Sequence, residues 1–180
     1  MMRRVIVIGA TGSGKTTLAR QISQQFMLPH TELDSLYWLP DWKPSPLLEF
    51  REKVATVSAG KTWVLDGNYS RVRDIVWAGA DTLIWLDYPL WLVLRRSLKR
   101  GIQRIHFQEE LWGTNNRETW RNLFFKRDSL LVWLFKTHGR HRREYPILFE
   151  QPEYVHLRVI HLQSPKAAKQ WLERIKANAW

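Results

Sequence analysis

The sequence predicts an α/β protein in which a five-stranded parallel sheet carries helices on both faces. Short runs of β-branched and other apolar residues alternate with longer stretches of helical periodicity. A glycine-rich segment joins the first apolar run to the first helix. The chain has 180 residues, of which 44% are hydrophobic, so it can bury a core within one domain over residues 1–180. These observations favour three layers, because parallel strands linked by helices are covered on both faces.

The first half of the chain supplies three predicted strands and two predicted helices. The strands are short runs rich in apolar residues: Val5–Ile8, His30–Leu33 and Trp63–Leu65. The first helix carries apolar side chains at helical spacing: Leu18, Ile22 and Phe26. It ends before Pro29, which cannot continue a helix. The second helix repeats this spacing and ends at Gly60; its apolar residues are Leu47, Phe50, Val54 and Val57.

The second half supplies two further strands and three helices. The strands are Leu83–Leu86 and Val155–Leu162. One helix begins after Pro89 and runs to about Ile105; its predicted buried face consists of Leu90, Leu94, Leu98 and Ile102. A basic helix follows, with Asn115 as its cap and Glu118 three residues later. Its predicted buried residues are Trp120, Leu123, Phe124, Leu130, Leu131 and Leu134. Ser164 and Pro165 open a last helix to about Ala177.

Charge and composition restrict the class of protein. The 28 basic and 17 acidic residues give a net charge of +11, and residues 91–145 alone carry 13 basic and 5 acidic side chains. This local excess predicts a site for an anion. The chain has no cysteine, which excludes a disulfide framework and a thiolate metal site. Its apolar runs are far shorter than the roughly 20 residues of a membrane helix, so we expect a cytoplasmic protein without a membrane partner.

The segment Gly9–Thr16 carries the most specific chemistry in the sequence. It fits the pattern G-x-x-x-x-G-K-[ST] at every fixed position and lies between a predicted strand and a predicted helix. Backbone N–H groups of such a loop hold phosphate oxygens, its lysine reaches the β- and γ-phosphates, and its threonine hydroxyl suits Mg²⁺. The sequence therefore predicts a P-loop NTPase fold. The nucleotide-binding residues predicted from it are Gly9, Ala10, Thr11, Gly12, Ser13, Gly14, Lys15, Thr16 and Thr17.

Beyond the P-loop, the chain resembles the nucleoside and small-molecule kinases typified by adenylate and shikimate kinases. Within that branch it most resembles the adenylate-kinase-related proteins often labelled DNA topology modulation proteins. The matching segments are Leu33-Asp34-Ser35 with Trp38, Leu65-Asp66-Gly67-Asn68-Tyr69, and Arg117 with the Trp- and Arg-rich stretch after it. The resemblance implies a kinase that uses ATP and Mg²⁺ and closes a basic helical lid at about residues 100–145.

The resemblance also implies roles for individual residues. Asp66 matches the carboxylate that holds Mg²⁺-bound water, which makes Thr16 and Asp66 the predicted metal site. Arg96 and Arg100 match paired arginines at the base of the lid, one on the adenine and one on the phosphates, and Pro165 matches the loop that borders the adenine. The predicted catalytic residues are Lys15, Asp34, Asp66 and Arg100. The predicted acceptor-binding residues are Asp34, Trp38, Tyr69, Arg71, Arg73, Arg117 and Arg121.

The identity of the phosphoryl acceptor stays open at this point. A phosphorylated acceptor is already ionised and needs cations to hold it, whereas a hydroxyl acceptor benefits from a carboxylate that takes its proton. The number of arginines slightly favours a nucleoside monophosphate or a similar phosphorylated molecule. Asp34, and the presence of Thr16 where adenylate kinases have glycine, allow a hydroxyl acceptor as in shikimate kinases.

A rival interpretation from a different class is a nucleotide-dependent ATPase or regulator linked to DNA topology. The basic segment motivates this interpretation, because clustered cations also bind nucleic acid. The sequence contains no helix-turn-helix signature, zinc spacing or RNP-like aromatic motif, so nucleic acid is not the favoured partner. Whether the chain is a monomer or a dimer is left open.

Overall fold

A computed structural model describes residues 2–125 and 130–177 of the chain. Its main sheet has five parallel strands, numbered here β1 to β5: Arg4–Gly9, His30–Glu32, Trp63–Asp66, Thr82–Leu86 and Arg158–Leu162. Their order across the sheet is β2-β3-β1-β4-β5. The predicted α/β fold with a five-stranded parallel sheet is confirmed.

Seven helices, α1 to α7, accompany these strands in the described residues. They are Lys15–Phe26, Leu33–Tyr37, Leu47–Ser58, Arg73–Gly79, Leu90–His106, Leu130–Phe149 and Pro165–Ala177. Two short antiparallel hairpins complete the fold: Trp38–Leu39 with Lys43–Pro44, and Glu110–Leu111 with Asn116–Arg117. None of the helices in the described residues is long and apolar enough to cross a membrane.

The sheet divides the core into two apolar layers. Successive residues of β1 point to opposite faces, so Val5 and Val7 join one layer while Ile6 and Ile8 join the other. The first layer packs against α1, α5 and α7, and the second against α3 and α4. Helix α6 contributes buried residues to both layers. Because β1 lies at the centre of the sheet, the loop that follows it is held by a rigid support.

The buried face of α5 differs from the predicted one. Ile102 is 45% exposed, and the residues that are buried instead are Val93, Ser97, Gly101 and Ile105. Small residues are needed on this face because other segments approach it closely. A Cβ atom on Gly101 would lie 2.8 Å from Leu123 Cδ1. Leu90 and Leu94 pack, partly buried, against the first layer, so the apolar periodicity of the sequence identified the helix and only part of its packed face.

The predicted basic helix begins later than expected. Asn115 is not a helix cap: it has a φ of 57° and lies in the turn of the second hairpin. A π-helical turn spans Arg121–Phe125, and α6 begins at Leu130. The burial expected of Trp120 and Phe124 is wrong, since they are 52% and 39% exposed, whereas Leu123 and Leu134 are buried as predicted. The side chains of Leu130 and Leu131 lie outside the described residues.

Two predicted strand boundaries also change. The second strand ends at Glu32, because Leu33 begins the short helix α2. The fifth strand begins at Arg158, since Val155 is 70% exposed and lies before the paired region. The first change matters for function, because it places Asp34 in the first turn of α2.

Candidate active site at the phosphate loop

The loop between β1 and α1 has the backbone conformation that its glycines allow. Gly12 and Gly14 have φ values of 76° and 92°, in the left-handed region that favours glycine. A Cβ atom on Gly12 would lie 2.6 Å from the Val93 carbonyl oxygen, so α5 approaches the loop directly. The Ser13 N–H donates to the Ala10 carbonyl at 3.1 Å. The loop thus leads into the N-terminus of α1, where anions bind favourably.

Lys15 lies between the loop and two carboxylates. Its Nζ donates to the Ala10 carbonyl oxygen at 3.1 Å. Burial lowers the pKa of Lys15, and the nearby carboxylates of Asp34 and Asp66 oppose that shift. Arg100 also acts on the charge of Lys15, so the structure brings all four predicted catalytic residues into one electrostatic group.

Asp66, at the end of β3, is held from two sides. The Thr16 hydroxyl donates to its Oδ1 at 2.9 Å, and His30 Nε2 lies 2.8 Å from its Oδ2. Asp66 is 4% exposed. Hydroxyl and carboxylate oxygens are ligands that Mg²⁺ takes beside nucleotide phosphates. Thr16 and Asp66 meet at the first turn of α1, so the residues present fit the predicted magnesium site.

Asp34 is half-buried and lies near the same lysine. The Tyr69 hydroxyl donates to Asp34 Oδ1 at 2.5 Å. Burial raises the pKa of Asp34, while this hydrogen bond and the charge of Lys15 act in the opposite direction. Burial together with the Asp34 carboxylate holds the pKa of Tyr69 far above its usual range, so its hydroxyl stays a donor. A carboxylate with a raised pKa and one fixed oxygen is suited to accept a proton.

Two arginines of α5 lie over the phosphate loop. Arg100 Nη2 donates to the Thr11 hydroxyl at 2.9 Å. Burial lowers the pKa of Arg100, as does the nearby Arg104. Arg96 lies 5.7 Å from the ring centre of Tyr88, and its Nη1 is 4.0 Å from where a Cβ atom on Gly14 would stand. Both cations lie beside the loop, and their contacts with adenine and phosphate stay predictions.

Four other arginines from the sequence analysis make no described contact with Lys15, Asp34 or Asp66. Arg71 has an exposed side chain, and its carbonyl accepts a hydrogen bond from Arg51. Arg73 lies 4.8 Å from the ring centre of Trp77 on the opposite layer of the core. Arg117 and Arg121 are exposed. Their proposed contacts with an acceptor stay predictions.

The remaining predicted residues flank this centre. Trp38 packs edge-to-face against Tyr37 at 4.9 Å and against Trp42 at 5.6 Å. Thr17 is exposed in the first turn of α1. Pro165 begins α7, where the Ser164 hydroxyl accepts a hydrogen bond from the Ala167 N–H. The contact of Pro165 with adenine stays a prediction.

Two side chains of the site were not singled out in the sequence. Asn68 makes a double contact with the start of the loop: Oδ1 accepts from the Gly9 N–H at 3.0 Å, and Nδ2 donates to the Gly9 carbonyl at 2.5 Å. His30 orients Asp66. Asn68 lies 59 residues from Gly9, and His30 lies 36 residues from Asp66, so no local spacing in the sequence indicates either contact. Only the position of Asn68 directly after Asp66-Gly67 pointed to this region.

The fold of this chain resembles that of several solved kinases. A shikimate kinase from Acinetobacter baumannii, solved with shikimate, has a TM-score of 0.60 and 14% identity, with 97% of this chain and 91% of that chain covered. A sugar kinase from Janibacter sp. HTCC2649 has a TM-score of 0.55 and 20% identity, with 98% and 94% covered. A gluconokinase from Sinorhizobium meliloti 1021 has a TM-score of 0.51 and 16% identity, with 98% and 95% covered. At these identities the likeness establishes the fold.

Sequence comparisons add two partial matches. Residues 2–33, which include the phosphate loop, match the PduV-EutP family, described as ethanolamine utilisation - propanediol utilisation and itself a P-loop family. The uncharacterized protein YqaC of Bacillus subtilis (strain 168) is 29% identical over 108 residues, which cover 58% of this chain and 60% of that protein. The chain thus aligns with less than two thirds of this relative. The likeness to DNA topology modulation proteins stays a prediction.

Proposed function

We propose that this chain is a Mg²⁺- and ATP-dependent kinase that transfers the γ-phosphoryl group to a hydroxyl group of a small molecule. One observation carries the proposal: the half-buried Lys15 bonds the Ala10 carbonyl of the phosphate loop and shares one electrostatic group with Asp34 and Asp66. Lys15 would bind the transferred phosphoryl group, Asp66 would hold the metal, and Asp34 would take the proton of the acceptor. The kinase fold of the solved relatives supports this assignment.

On the nucleotide side, each cationic side chain would contact a phosphate. The loop N–H groups and Lys15 would hold the β- and γ-phosphates, and Arg96 and Arg100 would neutralise charge that develops during transfer. Thr16 and Asp66 would hold Mg²⁺, which supplies positive charge to the phosphate oxygens when it is bound. His30 would keep the Asp66 carboxylate in one orientation, since it holds the second oxygen.

On the acceptor side, Asp34 would take the proton. As the acceptor oxygen forms a bond to the γ-phosphorus, the bond from that phosphorus to the β–γ bridging oxygen breaks and ADP leaves. The hydroxyl proton passes to the free carboxylate oxygen, because the Tyr69 hydroxyl already occupies Asp34 Oδ1. Burial of Asp34 raises its pKa, which strengthens it as a base. Two of the structurally similar proteins, a shikimate kinase and a gluconokinase, are named after acceptors that carry hydroxyl groups.

A phosphorylated acceptor is the second candidate, and the half-buried Arg100 favours it. That side chain and Arg96 form a cationic group over the loop that could hold two phosphates against their repulsion. A nucleoside monophosphate would then need no base. We rank it second because the Arg73 side chain lies over Trp77, and no described contact brings the exposed Arg71 side chain to Lys15.

The test is ADP formation from Mg-ATP in three mixtures: no acceptor, pooled sugars and polyols, and pooled nucleoside monophosphates. We expect the neutral hydroxyl pool to accelerate ADP release at least tenfold, and Lys15→Met to abolish the gain. Lys99→Met is the matched control, because Lys99 is an exposed lysine on α5. Acceleration by the monophosphates alone would establish the second candidate. ADP release that no pool changes would contradict both and leave an ATPase.

A further inference from the structure

Within the described residues, two hairpins are bonded to each other beside the segment that carries Asp34. The acceptor-side hairpin comprises Trp38–Pro44 and follows α2, which carries Asp34. The lid hairpin comprises Glu110–Arg117 and lies in the predicted lid, after α5. The rings of Trp42 and Trp112 meet edge-to-face at 5.9 Å. Segments about 70 residues apart in sequence are thus joined into one cover.

Asn116 is the centre of this junction. Its Oδ1 accepts the Trp42 backbone N–H at 2.8 Å, and its Nδ2 donates to the Leu39 carbonyl at 2.9 Å. The Trp42 indole N–H adds a bond to the Arg117 carbonyl at 3.2 Å. Asn116 is 2% exposed, so its amide is removed from water and depends on these partners.

The backbone of both hairpins is held in an unusual conformation. Asp41 and Trp42 have φ values of 61° and 56°, and Trp112 and Asn115 have values of 55° and 57°. Non-glycine residues in the left-handed region persist only where surrounding contacts fix them, and such residues cluster at ligand clamps. The four residues lie in the turns of the two joined hairpins, beside the contacts of the junction.

The lid hairpin also reaches the acceptor carboxylates. The Trp112 indole N–H donates to Glu32 Oε2 at 3.2 Å. Glu32 is close enough to Asp34 for its charge to help raise the pKa of that group. Arg20 pairs with the other oxygen of Glu32, which fixes this carboxylate between α1 and the lid. Contacts therefore run from Asn116 through Trp42 and Trp112 to Glu32, whose charge acts on the proposed base.

We propose that Asn116 is a positioning residue that holds the lid hairpin closed over Asp34, with Trp112 as the group that covers the acceptor side. The inference rests on the proposed function, because it assigns the cover to the site where transfer would occur. A closed cover excludes water, which would otherwise take the phosphoryl group in place of the acceptor. Loss of the Asn116 contacts should therefore raise ATP hydrolysis without weakening ATP binding.

Two variants and one control test this role. Asn116→Leu keeps the size of the side chain and removes both hydrogen bonds. Trp112→Phe keeps a ring against Trp42 and removes the bond to Glu32. Asn122→Leu is the matched control, since Asn122 is a half-buried asparagine of the same segment and its side chain has no described bond to either hairpin. For each protein, amide hydrogen exchange of residues 110–117, acceptor-free ATP hydrolysis and ATP affinity are measured.

For Asn116→Leu we expect about tenfold faster exchange in the lid hairpin and about tenfold faster ATP hydrolysis, with ATP affinity within twofold of the unmodified protein. Trp112→Phe should show a smaller rise in both rates. If Asn116→Leu does not fold, the measurements on Trp112→Phe alone test the positioning role. Unchanged exchange, or faster exchange with unchanged hydrolysis, overturns the positioning role. Failure of the unmodified protein to bind ATP would instead refute the proposed function, while the exchange data would still test the junction.

Discussion

The Thr16 hydroxyl donates a 2.9 Å hydrogen bond to Asp66 Oδ1, which ties the first turn of α1 to the end of β3. His30 Nε2 holds the other carboxylate oxygen at 2.8 Å. Asp66 is therefore fixed at both oxygens, and one of its partners is a residue of the phosphate loop. A carboxylate held in this way presents a defined direction to a bound cation.

Removal of the His30 contact should weaken the response to Mg²⁺. His30→Leu leaves Asp66 Oδ2 without this partner, and loss of such an outer partner typically costs about 10- to 100-fold in metal affinity. We expect the Mg²⁺ concentration for half-maximal ADP formation to rise at least tenfold. His30→Gln, which retains a donor, should recover part of the loss, and the exposed His156→Leu should match the unmodified protein. An unchanged Mg²⁺ requirement in His30→Leu would refute this role.

Replacement of Asp34 should separate activity from stability. Burial raises the pKa of Asp34 above its unfolded value, so the ionised carboxylate destabilises the fold at neutral pH. Asp34→Asn keeps an acceptor for Tyr69 and removes that charge. We expect phosphoryl transfer to fall by about 100- to 10,000-fold and the Tm to rise by about 2–4 °C at pH 7.

The pH dependence of that stability difference follows from the sign of the shift. Below the unfolded pKa of Asp34 the residue is protonated in both states, so the variant and the unmodified protein should be equally stable. As pH rises through the folded pKa, the unmodified protein loses stability and Asp34→Asn does not. Thermal melts at a series of pH values measure the difference. The assignment would be contradicted if the stability advantage of Asp34→Asn over the unmodified protein were smaller at pH 7 than at acidic pH.

Local patterns were sufficient to predict the framework of the fold. Val5–Ile8 is apolar on both faces because β1 is buried on both, and the loop motif follows that strand directly. Both signals lie within a few residues of each other. The positions of Lys15 and Thr16 could therefore be predicted from the sequence, as could the parallel sheet around them.

The errors arose where distant contacts override a local pattern. The spacing of Asn115 and Glu118 is typical of a helix start, yet Asn116 binds a hairpin more than 70 residues away and holds this stretch in a turn. Trp120 was expected in the core because of its size, but it is half exposed. His30 could not be assigned a role, since its partner Asp66 comes from another strand.

Asn68 should prove necessary for nucleotide binding although it carries no charge. Its amide bonds both backbone groups of Gly9, and Asn68→Ala leaves them without this partner. We expect ATP affinity to fall about tenfold and the free energy of unfolding to fall by about 1–3 kcal/mol. Calorimetric titration and denaturant melts measure the two effects. Asn122→Ala serves as the control, and unaltered ATP affinity in Asn68→Ala would exclude the role.

His141 should make the fold sensitive to acid. It is buried and stacks on Tyr145 at 4.7 Å. Burial lowers its pKa to about 4, and the cations Arg140, Lys15 and Arg73 act in the same direction. The unfolded chain, with a histidine pKa of about 6.5, then binds more protons than the folded chain between these values. Stability is therefore fully present above about pH 6.5 and decreases as the pH falls towards about 4.

His141→Phe should remove this contribution, because phenylalanine keeps a ring against Tyr145 and cannot be protonated. We expect the unmodified protein to lose up to about 3 kcal/mol more than the variant between pH 6.5 and pH 4. Urea melts at several pH values give the free energies. The exposed His156→Phe should retain the full acid sensitivity. If His141→Phe loses stability in acid as steeply as the unmodified protein, His141 does not cause the loss.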